Sequence, residues 1–141
     1  MTVIAWDGTT LASDRQITDS CRATVGKKLW KLKVGRETYL LGLSGEYGPG
    51  LEAIHTIMES HTFDKVAKDR DVSIMVIGKN RIFELERGYA IPVLEMKVWA
   101  TGSGGDYALG AMLAGKTAVE AVEIAIQLDM NSGLGVDQVQ F

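Results

Sequence analysis

A chain of 141 residues, 46% apolar and 23% charged, can bury a core without disulfides or metal ions. A net charge of −3 with no Lys/Arg run argues against a nucleic-acid partner, and no apolar run approaches the length of a membrane span. The single cysteine, Cys21, rules out an internal disulfide and fits a reducing compartment; with no basic-then-apolar start, the expected location is the cytoplasm. No linker, repeat or low-complexity segment appears, so residues 1–141 read as one domain.

The first half reads as hairpins. Thr2 to Trp6 is a short apolar strand, Asp7-Gly8 a two-residue hairpin turn, and Thr9 to Ser13 the return strand. Lys28 to Lys33 and Glu37 to Leu43 form a second pair across Val34-Gly35-Arg36. The stretch from Gly42 to Gly50, with four glycines and Pro49, reads as a loop. Helical spacing begins at Leu51 and runs to Ser60, with Leu51, Ile54, Ile57 and Met58 on one face.

Val72 to Ile77 is an apolar strand that returns through Gly78-Lys79-Asn80 into Arg81 to Glu86. One or two further strands are expected between Tyr89 and Ala100, with Pro92 at an edge or bend. A helix from Asp106 to Ala114 stops at Gly115, and Thr117-x-x-Glu120 is a capping box opening a second helix to about Asp129. Val136 to Phe141 closes the chain as a strand. This order favours antiparallel sheets with helices outside them over a βαβ parallel sheet.

The chemistry-bearing residue is Thr2. Removal of Met1 would make it N-terminal, placing a hydroxyl and an α-amine on one residue. The amine has an unperturbed pKa of roughly 7.7–8.0, suited to a general base that activates an otherwise weak nucleophile. Behind Thr2, in order, come Ala12-Ser13-Asp14-Arg15, Lys28-Leu29-Trp30-Lys31-Leu32, Leu43-Ser44-Gly45, Gly102-Ser103-Gly104-Gly105-Asp106-Tyr107-Ala108 and Asp129-Met130-Asn131-Ser132-Gly133.

Taken together, these pieces resemble the β-type proteasome subunit and the peptidase subunit of the related bacterial ATP-dependent protease, within the N-terminal-nucleophile hydrolases. The resemblance runs from Thr2 to about Gly133. It implies an α+β fold: a four-layer αββα sandwich of two antiparallel sheets flanked by helices. The segment His61 to Arg70 has room for about three helical turns at most, where the family carries a full second helix, so one helical layer is expected to be reduced. The Thr2-to-Asp14 hairpin is also shorter than the family's.

The resemblance also implies a threonine peptidase of a homo-oligomeric ring, acting on peptide or unfolded protein and served by an ATP-dependent unfoldase, with no cofactor and no metal. Thr2 would be the nucleophile and Asp14 the partner of Lys28. Gly45 would be the oxyanion donor, with Ser103, Asp129 and Ser132 a hydrogen-bonded shell around the amine. The other readings are a catalytically silent assembly or scaffold protein and a small-substrate amidase of the same superfamily.

Several residues have competing explanations. Asp14 could be a turn residue, and Lys27 rivals Lys28, although the Lys-Leu-x-x-Leu phase favours the latter. Ser103 and Asp106 are both plausible helix N-caps. Asp129 could simply end a helix, where an acid opposes the macrodipole. His55 and His61 are expected in solvent, and the six methionines in core-like segments. Gly8-Thr9-Thr10 resembles a β-type processing site, but a nucleophile at Thr9 would leave no hairpin before Asp14.

Overall fold

The computed structural model describes residues 2–93 and 95–141, so Met1 and part of the stretch expected as strand between Tyr89 and Ala100 lie outside the described residues. The chain runs through β1 (Ile4–Trp6), β2 (Leu11–Asp14), β3 (Gln16–Asp19), β4 (Arg22–Val25), β5 (Leu29–Val34) and β6 (Glu37–Gly45) to the helix α1 (Tyr47–Ser60). The strands β7 (Val72–Ile77), β8 (Ile82–Glu86), β9 (Tyr89–Pro92) and β10 (Trp99–Thr101) follow. Helices α2 (Gly105–Leu113) and α3 (Ala118–Leu128) and the strand β11 (Val136–Val139) complete the order.

Two antiparallel sheets stack. One has the order β10-β1-β2-β11; the other is the meander β5-β6-β7-β8-β9. The alternation of side chains along each strand sorts the core into three layers. Ile4, Leu11, Leu40, Met75 and Ile77 meet between the sheets. Their neighbours Ala5 and Ala12 turn outward onto Ala118, Ala121 and Ala125. On the opposite side Leu41, Ile74 and Val76 turn outward onto Ala53, Ile54 and Ile57 of α1. The result is the expected αββα sandwich, and its α1 layer is the reduced one. Residues 61–70 form no helix; Val66 and Phe63 pack against the core there instead.

Four details differ from the sequence reading. The first hairpin turns over four residues, Asp7 to Thr10, between the paired Trp6 and Leu11, rather than over Asp7-Gly8 alone. The Asp7 carboxylate widens it by accepting the N–H groups of Thr9 at 2.9 Å and Thr10 at 2.8 Å. Its other oxygen accepts Ala118 N–H at 2.8 Å, tying the hairpin to the first turn of α3.

Second, the Gly42 to Gly50 stretch is not a loop: β6 runs to Gly45 and α1 begins at Tyr47. Glycine is needed at 42 because a Cβ would come within 2.6 Å of Ile4 in the facing sheet. Pro49 falls in the first helical turn, where no N–H is required. Third, β3 and β4 pair as a separate exposed hairpin with Cys21 at its turn, which the sequence reading left unassigned. Fourth, the buried face of α1 is Gly50, Ala53, Ile54 and Ile57, leaving Leu51 and Met58 exposed. Met130 is exposed as well, so the methionines are not uniformly core residues.

Candidate active site

Thr2 lies immediately before β1 and is 1% exposed. Its Oγ1 donates a hydrogen bond to Asp14 Oδ1 at the end of β2, and Lys28 Nζ, just before β5 in the other sheet, donates to Thr2 Oγ1. A second Lys28 N–H reaches Asp14 Oδ1 at 2.8 Å. The pairing register of β1 with β2 brings Asp14 to Thr2, and sheet stacking delivers Lys28 from above. Lys28 is 3% exposed, whereas Lys27 stands over the Trp30 ring, which resolves the choice between the two lysines in position.

The Asp14 carboxylate is heavily solvated by the protein itself. Oδ1 also accepts Val3 N–H at 3.2 Å, while Oδ2 accepts Gln16 N–H at 3.2 Å and Gly133 N–H at 3.0 Å. These donors fix the carboxylate where it can hold the Lys28 ammonium beside it. Burial pushes the Lys28 pKa below the ordinary lysine value even though the charge and hydrogen bond of Asp14 oppose that fall.

A second chain of bonds ends at the Thr2 nitrogen, which donates to Ser103 Oγ at 3.1 Å. The Ser103 hydroxyl has one proton, and its shortest acceptor is Asp129 Oδ2 at 2.6 Å. Ser132 Oγ donates to the same oxygen at 2.6 Å, and Asn131 N–H donates to Oδ1 at 3.2 Å. Burial works against the Asp129 charge, but the bonds from Ser103, Ser132 and Asn131 outweigh it and hold the carboxyl below the usual range. Asp129 does cap α3, as expected, while its side chain serves this network. Ser103 does not cap α2: the N-cap position is Gly104, without a side-chain cap bond.

Two glycines fix the backbone of Thr2. Gly104 N–H donates to the Thr2 carbonyl at 3.0 Å. Gly102 has φ +91°, and a Cβ there would fall 2.8 Å from the Thr2 carbonyl carbon. On the other side of the hydroxyl, Gly45 has φ +92°, and any Cβ would collide with the Asp71 carbonyl. Thr2, Lys28 and Gly45 line one cleft of about 570 Å³, walled by Ile17, Tyr47 and Asp71. A larger concavity of about 710 Å³ lies elsewhere, at the β5–β6 and β7–β8 turns, and contains none of these residues.

All seven sequence candidates, Thr2, Asp14, Lys28, Gly45, Ser103, Asp129 and Ser132, therefore fall in one region. Thr9 is exposed at the first hairpin turn, away from it. Sequence reasoning missed the backbone donors of Val3, Gln16 and Gly133 on Asp14, and the bracing of Thr2 by Gly102 and Gly104. The glycine signals were present in Gly102-Ser103-Gly104 and Ser132-Gly133. The Val3 and Gln16 donors have no sequence signal, because any non-proline residue supplies an N–H.

No protein-family model and no curated protein matches the chain. Solved structures do. HslV from Trypanosoma brucei superposes with a TM-score of 0.68 at 19% identity, over 99% of each chain. The Gly-1 mutant of Anbu from Hyphomicrobium sp. strain MC1 gives 0.76 at 13% identity, over 100% of this chain and 81% of the other. The BPH of Thiobacillus denitrificans, in complex with epoxomicin, gives 0.66 at 18% identity, over 98% and 96%. The resemblance to proteasome-like N-terminal-nucleophile hydrolases thus holds in three dimensions: the chain has the fold these proteins share. Among the described residues no helix is long and apolar enough to cross a membrane.

Proposed function

We propose that the chain is a threonine-type peptidase of a ring-forming, proteasome-like assembly, with Thr2 as nucleophile once Met1 is removed. The observation that carries this reading is the position of the Thr2 hydroxyl between the Asp14 carboxylate and the Lys28 ammonium, with the Thr2 nitrogen held by Ser103.

The free amine of Thr2 takes the hydroxyl proton, directly or through water, as Oγ1 attacks a peptide carbonyl carbon. Lys28, fixed by Asp14, offsets the developing alkoxide charge. Gly45 N–H donates to the oxyanion of the tetrahedral intermediate. The ammonium formed at Thr2 returns the proton to the leaving amine, and a threonyl ester remains. Water, deprotonated by the same amine, hydrolyses the ester to release a carboxylic acid and regenerate Thr2. Ser103, Asp129 and Ser132 orient the amine throughout.

The substrate class is peptide or unfolded protein, confined in a homo-oligomeric chamber in the cytoplasm and fed by an ATP-dependent unfoldase. Intact mass of the protein from its native host should show loss of Met1, and epoxomicin should add covalently to it. Labelling that persists in Thr2→Ala would assign the nucleophile elsewhere, and a retained Met1 would end the peptidase reading.

A further inference from the structure

The cleft beside Thr2 carries a chemical bias that the catalytic reading does not use. Its walls are apolar where Ile17, Leu43 and Tyr47 contribute, and three acidic residues, Asp19, Glu46 and Asp71, all exposed, also line it. Among the described residues Lys28 is the one basic side chain lining it, and that ammonium is committed to Asp14. Asp19, Glu46 and Asp71 make no ion pair with a described residue.

Asp71 is held in place by its own backbone. Its carbonyl accepts Glu46 N–H at 2.9 Å and abuts Gly45, so the backbones of Asp71 and Glu46 are fixed beside the residue assigned to the oxyanion. Tyr47 stiffens the facing wall, its hydroxyl donating to the Lys27 carbonyl at 2.9 Å. With the attacked carbonyl between Thr2 and Gly45, the Cα of the residue that owns this carbonyl is one bond away, and its side chain enters the adjoining cleft. An apolar stem along Ile17 and Tyr47 ending in a positive head among the carboxylates matches lysine and arginine.

We infer that the cleft selects peptides with a basic residue on the acyl side of the scissile bond, with Asp71 and Glu46 as specificity-determining residues. This inference rests on the peptidase reading above. The carboxylates sit at an exposed mouth, so each ion pair contributes modestly, and together they give a preference of about tenfold.

The test uses short fluorogenic peptide amides that differ only in the acyl residue: arginine, its neutral isostere citrulline, and glutamate. Arginine should exceed citrulline in kcat/KM by about tenfold and glutamate by more, with the ratio narrowing in 0.5 M salt, roughly three times the ionic strength at which charges are screened over about 8 Å. The arginine-to-citrulline ratio should fall severalfold in Asp71→Asn and in Glu46→Gln, chiefly through KM. Turnover with equal rates for arginine and citrulline overturns the specificity while leaving the peptidase intact. A ratio unchanged in both variants overturns the assignment to Asp71 and Glu46. Absence of turnover of all three amides, together with no epoxomicin adduct, overturns the peptidase reading and this inference with it.

Discussion

Lys28 Nζ stands 2.8 Å from Asp14 Oδ1, with the two side chains 3% and 0% exposed. An ion pair so placed gives up nearly all of its hydration, and its attraction is retained only while both partners are present. Asp14 recovers part of that loss through the N–H groups of Val3, Gln16 and Gly133, whereas among the described residues Lys28 donates to Asp14 and Thr2 alone. The pair therefore contributes little net stability and a great deal of position, setting an ammonium against the Thr2 hydroxyl.

Breaking the pair from one side should be costly. Lys28→Met leaves Asp14 buried without its cation and is expected to lower stability by about 3–5 kcal/mol, nearer the lower figure because the backbone donors remain. Asp14→Asn should cost a similar amount. The double variant should cost clearly less than the two single costs added together, since it leaves no lone charge. Urea unfolding of the four proteins measures this, and strictly additive costs would show that the two side chains are not coupled.

The same burial gives a pH signature. On the proposed mechanism, labelling of Thr2 by epoxomicin needs a neutral amine, so its rate should rise with pH through the amine's pKa, ordinarily roughly 7.7–8.0. It also needs the Lys28 ammonium, and because burial lowers that pKa, the charge is lost below the ordinary lysine value of about 10.4. The expected profile is a bell with its alkaline limb earlier than a free lysine would give. Lys28→Arg, which cannot deprotonate in this range, should lose that limb where it folds and labels. An alkaline limb unchanged in Lys28→Arg would assign it to another group.

Two glycines with positive φ should answer differently to alanine. Gly102 (φ +91°) has Thr2 backbone atoms in the space of a Cβ, while a Cβ on Gly115 (φ +100°) would meet no atom of the described residues beyond its chain neighbours within 4 Å. Gly115→Ala should cost about 1–2 kcal/mol, the backbone penalty alone, and leave epoxomicin labelling intact. Gly102→Ala carries that penalty plus displacement of Thr2, so it should lose more in thermal unfolding and lose labelling as well. Equal behaviour of the two variants would remove the steric role assigned to Gly102.

The parts of the fold legible in the sequence were those with a strong local signal. Val72 to Ile77 emerged as β7 with the same ends because an apolar run bounded by a turn has few alternatives. Thr117 emerged as the N-cap of α3 because its capping box is a short-range bond pattern. What was misread depended on distant partners. Gly42 belongs to a strand because Ile4 approaches it from the other sheet, and β3 and β4 hold a hairpin with almost no buried side chains to announce it. For the site, the hydroxyl-and-amine logic of Thr2 came from the residue itself, whereas Asp14, Lys28, Ser103 and Asp129 came from the resemblance. The Lys-Leu-x-x-Leu phase only favours Lys28 over Lys27; burial separates the two.

The bonds around Thr2 span almost the whole chain. Ser103 is 101 positions from Thr2, and Gly133 is 119 positions from Asp14. Closing contacts of such sequence separation is entropically costly and comes late in folding. A chain still emerging from the ribosome can hold the first hairpin and Lys28, but it has neither the serine that orients the Thr2 nitrogen nor the loop that completes the Asp14 cradle. On the peptidase reading, the order of synthesis thereby acts as a safety catch: the site stays incomplete until Gly133 has been made.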